Sequence, residues 1–111
     1  MTDVFISGDT QPFERQLTVC IGGIQSNYVI GVSDTVTARF ATKEGTAITD
    51  VFTCAVGTSG KAKITCPSVE SVKLADYDKQ KVLLCIEVEL DSDATLKEFQ
   101  LEYYIKKGLV P

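Results

Sequence analysis

The sequence predicts an all-β fold: an antiparallel β-sandwich of about seven strands with little or no helix. Three observations carry this. Apolar and polar residues alternate with period two along most of the chain, while helical periodicity hardly appears. Short turns bearing glycine or polar residues punctuate the alternating runs at close intervals. The 111 residues are 44% apolar and 23% charged, which is the balance of one globular domain, residues 1–111, with one modest core.

The first long run places Phe13, Arg15, Leu17, Val19 and Ile21 on one face of a strand that Gly22-Gly23 breaks. An apolar patch, Tyr28-Val29-Ile30, follows and stops at Gly31. Asp34 to Ala41 reads as a strand with Val36, Ala38 and Phe40 inward, and Lys43-Glu44-Gly45-Thr46 as a polar turn leading back through Ala47-Ile48-Thr49. The clearest hairpin joins Val51–Val56 to Lys61–Cys66 through Gly57-Thr58-Ser59-Gly60. Pro67 ends it, because proline cannot donate to a ladder.

Residues 68–81 form no complete helical stripe and read as a connection with one helical turn at most. Two strong strands close the chain. Val82, Leu84, Ile86, Val88 and Leu90 alternate with Leu83, Cys85, Glu87 and Glu89; Phe99, Leu101, Tyr103 and Ile105 then alternate with Gln100, Glu102, Tyr104 and Lys106. One-sided patterning in about seven strands points to an immunoglobulin-like sandwich. Tryptophan is absent, so the antibody-type core is not expected.

The formal net charge of −4 offers no basic stripe for a phosphate backbone, so neither nucleic acid nor an anionic membrane is expected as a partner. No apolar run approaches membrane-spanning length. Met1 to Phe5 has no basic segment leading into an apolar one, so no Sec signal is expected and synthesis is expected in the cytoplasm. Cys20, Cys54, Cys66 and Cys85 include no CxxC pair and the chain has no histidine. Free thiols behaving as small apolar residues are the favoured reading. Cys54–Cys66 is the pair to form if a disulfide forms at all.

Chemistry is hard to find in this composition. The commonest general base and metal ligand, histidine, is missing, and no nucleophile elbow, phosphate loop or zincin pattern occurs. Glu87, Glu89, Asp91 and Asp93 recur at every second residue and line one side of a strand and its turn. A solvated outer face explains that spacing; a calcium ion is the lesser alternative and catalysis the least. No enzyme and no cofactor is expected.

Two stretches carry a resemblance: Ile6-Ser7-Gly8-Asp9-Thr10-Gln11-Pro12-Phe13, and Ser33-Asp34-Thr35-Val36-Thr37-Ala38-Arg39-Phe40 with the turn Lys43-Glu44-Gly45 after it. In that order they resemble the N-terminal domain of tailed-phage upper-baseplate proteins and related virion domains. The stretch Ala75-Asp76-Tyr77 to Glu89 is similar to that family's closing hairpin. The resemblance implies a non-enzymatic structural protein of a phage virion, made in the host bacterial cytoplasm, whose partners are capsid or baseplate subunits and further copies of itself. Because the chain stops at Pro111, where baseplate relatives continue, it implies an accessory subunit such as a capsid decoration or head-fibre protein. A baseplate adaptor domain, or a module binding glycan or a host surface, is the alternative.

Contact residues are expected where apolar side chains fall outside the inward pattern. Phe5 and Ile6 lie before the first alternating strand, and Leu109 and Val110 after the last. Leu83 and Tyr104 point to the polar side of the closing hairpin, and exposed tyrosine is enriched at protein interfaces.

Overall fold

The computed structural model describes residues 3–108. Among them are nine strands: β1 (Asp3–Ile6), β2 (Phe13–Arg15), β3 (Leu17–Ile21), β4 (Ile24–Tyr28), β5 (Thr35–Ala41), β6 (Phe52–Val56), β7 (Ala62–Ile64), β8 (Lys81–Glu89) and β9 (Leu96–Lys106). Their alternation decides what is buried. Val36, Ala38 and Phe40 of β5 turn inward, as do Val82, Leu84, Ile86 and Val88 of β8. The connection after Pro67 is one α-helical turn, α1 (Ser68–Ser71), running into a 3-10 segment over Val72–Tyr77. It plugs the core with Leu74 and anchors itself through buried Ser71, whose hydroxyl donates to the Asp9 carbonyl at 2.9 Å.

Seven strands join one mixed sheet in the order β1-β9-β8-β5-β6-β7-β2, and β3 and β4 form a separate two-stranded ribbon. Every neighbouring pair is antiparallel except β1 and β9, which run parallel with Phe5 beside Ile105. The strand pattern had pointed to two antiparallel sheets packed face to face. The difference begins at Gln16. The run from Phe13 to Ile21 keeps its alternation, but its backbone changes partner there, from β7 to β4. The Gln16 side-chain amide donates to the Leu17 and Tyr28 carbonyls, each at 3.0 Å, across the switch. Alternation records which face is buried and says nothing about which neighbour a strand pairs with.

The large sheet curls until its two edge strands face one another. Phe5 of β1 and Phe13 of β2 have ring centres 6.1 Å apart, and Arg15 of β2 is ion-paired with Asp3 of β1. Inside the curl, Phe5, Phe40 and Tyr103 form an aromatic cluster with centre-to-centre distances of 5.0 to 6.4 Å, within the range where tilted and edge-on rings attract. Cys66 is buried, Cys54 and Cys85 are half-buried and Cys20 is exposed, and all four are free thiols. The free thiols agree with the reading of the cysteines, with Cys20 on the outer side of its strand.

Candidate functional site

The expected contact residues divide sharply. Phe5 is 5% exposed and belongs to the aromatic core, so it is a packing residue and not a docking one. Its place on β1 explains this: Phe5 faces into the curl beside Ile105, which turns Val4 and Ile6 outward. Ile6, Leu83 and Tyr104 do share one outer face of the sheet. Val4 pairs with Tyr104, Tyr104 with Lys81, and Leu83 with Glu102 and Ala41. Val4 and Ile6 are exposed, while Leu83 and Tyr104 are half-buried. This patch is edged by charge, since Glu102 pairs with Lys43 at 3.1 Å and reaches Lys81 at 4.0 Å. Leu109 and Val110 lie outside the described residues.

A second apolar surface is formed by the ribbon of β3 and β4. Gly22 and Gly23 close it with φ of +58° and +82°, the double left-handed turn that suits a two-residue hairpin and that side chains disfavour. Pairing sets Leu17 opposite Tyr28, Val19 opposite Ser26 and Ile21 opposite Ile24. One ribbon face is therefore largely apolar, and the other carries Thr18, Cys20, Gln25 and Asn27. The base of the apolar face is held by the body. Leu17 is fully buried, Tyr28 packs on Phe99 with ring centres 5.1 Å apart, and just beyond β4 the Ile30 amide donates to the Gly60 carbonyl at 2.9 Å. The tip is not held: Ile21 is 71% and Ile24 69% exposed.

The charge distribution sets the ribbon apart. From Gln16 to Ser33, eighteen consecutive residues, there is no Asp, Glu, Lys or Arg in a chain that is 23% charged. Four exposed large apolar side chains, Ile21, Ile24, Val29 and Val32, fall in this stretch. Sheet edges that stay in water ordinarily carry charge or proline to block pairing. The ribbon has neither, and no third strand lies against either of its edges among the described residues.

A cavity of about 550 Å³ opens along the seam between β1 and β2, lined by Asp9, Phe13, Glu14, Arg15 and Tyr103 among others. Its charged groups are engaged. Arg15 holds Asp3 and the Tyr103 hydroxyl, Glu14 accepts from the Thr58 amide at 3.2 Å, and Asp9 accepts from the Gln11 amide at 2.9 Å. Burial pushes the Tyr103 phenol upward, and Arg15 beside it only partly offsets that. Nothing here pairs a nucleophile with a base.

Two loop acids, Asp34 and Asp93, have structural tasks. Asp34 accepts from the Gly31 and Asp91 amides, both at 3.0 Å, tying two loops together. Asp93 caps its turn through the Thr95 amide, and that bond holds its carboxyl below the usual range. Among the described residues, no three acidic or cysteine side chains stand together as a metal site, and no helix is long and apolar enough to cross a membrane.

Of the outer-face patch, Leu83 and Tyr104 were readable from alternation, Ile6 only as an apolar residue ahead of the first alternating strand, and Val4 not at all. The ribbon was missed, although its signal lay in the sequence: a double glycine flanked by isoleucines, inside the longest uncharged run of the chain. Alternation places Val19 and Ile21 on the strand face of Phe13 and Leu17 and does not tell them apart from those residues. The break at Gln16 carries them beyond the body.

Comparison with protein-family models, with curated proteins and with solved structures finds no match to this chain.

Proposed function

We propose that this chain is a non-enzymatic structural protein that works by binding other protein chains, as an accessory subunit of a tailed-phage virion such as a capsid decoration or head-fibre protein. The observation that carries the contact-making reading is the uncharged, exposed β3–β4 ribbon. Two isoleucines largely exposed at its tip bury little surface on folding and supply a desolvation gain once covered. The outer-face patch of Val4, Ile6, Leu83 and Tyr104 offers a second contact area. Support for the phage setting comes from the likeness of the 6–13 and 33–40 segments to virion domains. An immunoglobulin-like kinship of the curled sheet belongs to the same proposal, supported by seven strands wrapped about a single core.

Quantitative mass spectrometry of particles purified from the native source tests this. A fixed copy number per particle, retained through density-gradient purification, is the expected result. Absence of the chain from intact particles, or a copy number that falls with each purification step, overturns the reading.

A further inference from the structure

We infer that the far end of β9, where Lys79, Lys106 and Lys107 surround Tyr104, is a docking site for an acidic segment of a partner protein, one whose carboxylates alternate with apolar side chains. The inference rests on the contact-making reading above and gives that partner its chemistry.

A cavity of about 460 Å³ lies here, lined by Asp78, Lys79, Tyr104, Lys106, Lys107 and Gly108. Backbone bonds fix where the lysines stand. The Lys79 amide donates to the Ile105 carbonyl at 2.8 Å and the Ile105 amide to the Gln80 carbonyl at 2.9 Å, which lays the loop after the 3-10 segment along β9. The Lys107 amide donates to Asp78 Oδ1 at 2.8 Å. Lys79 itself adopts φ +64°, a left-handed conformation that long side chains rarely take. The chain has 15 acidic residues against 11 basic ones, yet Asp78 is the one carboxylate lining this cavity among the described residues. None of the three lysines makes an ion pair among those residues. Elsewhere lysines find acids: Lys73 holds Glu70 and Asp50, and Lys43 and Lys81 share Glu102. Like charges gathered without counter-charge repel one another, and an incoming anion relieves that repulsion.

The neighbouring surface narrows the choice of anion. Across the β1–β9 ladder Val4 stands beside Tyr104 and Ile6 beside Lys106 on the outer face, and Val4 and Ile6 are 56% and 45% exposed. A free inorganic anion would meet the lysines and leave this apolar strip in water. A carboxylate carried on a chain with apolar neighbours meets both at once. An anionic bilayer offers the same two chemistries, but it presents an extended plane of charge to a molecule whose formal charge is −4. A short segment keeps its carboxylates beside the lysines, within the screening length of about 8 Å at physiological salt, and most of the remaining acids lose their hold on it.

Amide shifts of the isotope-labelled chain, titrated with a synthetic peptide of alternating glutamate and valine, test this. Saturable shifts at Lys79, Lys106, Lys107 and Gly108 are expected, with an affinity that falls as salt is raised. Lys79→Gln, Lys106→Gln and Lys107→Gln together should weaken binding about tenfold, as the loss of three exposed charge pairs would. All three side chains are exposed, so the melting temperature should stay near native. Lys61→Gln, Lys63→Gln and Lys97→Gln together change the net charge equally and should weaken binding far less, which separates this site from a general electrostatic effect. Absence of a saturable shift overturns the inference, as does equal weakening by the two triple variants. Inorganic phosphate that binds as tightly as the peptide also overturns it, and so do phosphatidylserine vesicles that capture the chain through the same lysines. Peptide binding by a chain absent from purified particles keeps the site and removes the virion role. A chain held at fixed copy number in particles that binds no peptide does the reverse.

Discussion

Arg15 donates from its Nη1 to the Tyr103 hydroxyl at 2.8 Å, and its guanidinium carbon stands 5.5 Å from the centre of the same ring. Together with the ion pair to Asp3, one side chain on β2 grips both β1 and β9. The two edges of the curled sheet are thus fastened by side chains where no backbone ladder joins them.

Replacing Arg15 with Met should therefore open the seam. A loss of about 1–2 kcal/mol is expected, less than for a fully buried charged hydrogen bond because the guanidinium is partly in water. Arg15→Lys should recover only part of it, since an ammonium lacks the planar guanidinium that stands over the Tyr103 ring. Urea unfolding midpoints at constant slope would check both variants.

Gly60 sits at φ +76°, and a Cβ there would lie 2.4 Å from the Val29 Cγ1 and 3.0 Å from the Ile30 nitrogen. Gly60→Ala should cost about 2 kcal/mol or more, through backbone strain and collision together. The Ile30 amide, bonded to the Gly60 carbonyl, should lose hydrogen-exchange protection before the β8 amides do.

The cysteines should separate by reactivity. Burial, and then the neighbouring Cys66 thiol, pushes Cys54 up to about 12. Burial raises Cys66 to about 11 against the hydrogen bond to Ser71. Neither supplies much thiolate at neutral pH, whereas Cys20 is exposed. A thiol-directed label applied to the folded chain should modify Cys20 first and leave Cys54 and Cys66 until denaturant is added, as peptide mass mapping would show.

Glu70 gives the fold an acid-sensitive strut. Its Oε1 accepts from the Lys73 ammonium at 2.8 Å and from the Asp50 amide at 2.9 Å. These bonds, that from Lys73 foremost, hold its carboxyl below the ordinary 4.5. A depressed folded-state value means the contribution is complete above 4.5 and fades as pH falls from there through the folded value. Denaturation midpoints measured across that range should decline less steeply for Glu70→Gln than for the native chain.

Much of the fold was legible in the sequence because alternation reports burial directly. The inward sets on β5 and β8 and the hairpin across Gly57 to Gly60 follow from local chemistry, although β7 ends at Ile64, ahead of Pro67. The site was less legible. Period two assigns Ile21 to the same face as Leu17, yet burial of the one and exposure of the other depend on how far the body extends beneath the strand. Phe5 shows the converse: four residues before Asp9 it looked like a stray apolar end, and only its pairing beside Ile105, a hundred positions away, makes it core. Pairing partners so distant leave no local trace.

That same parallel pairing of β1 with β9 sets an order of events during synthesis. β1 leaves the ribosome ahead of β9 and has to wait for it, roughly 5–20 s at ordinary elongation rates, with Phe5 uncovered meanwhile. Closure of the sheet is then a late, long-loop step, of the kind that slows folding. A nascent chain cut short before Tyr103 should hold the β5–β6 pairing yet leave its N-terminus open to protease.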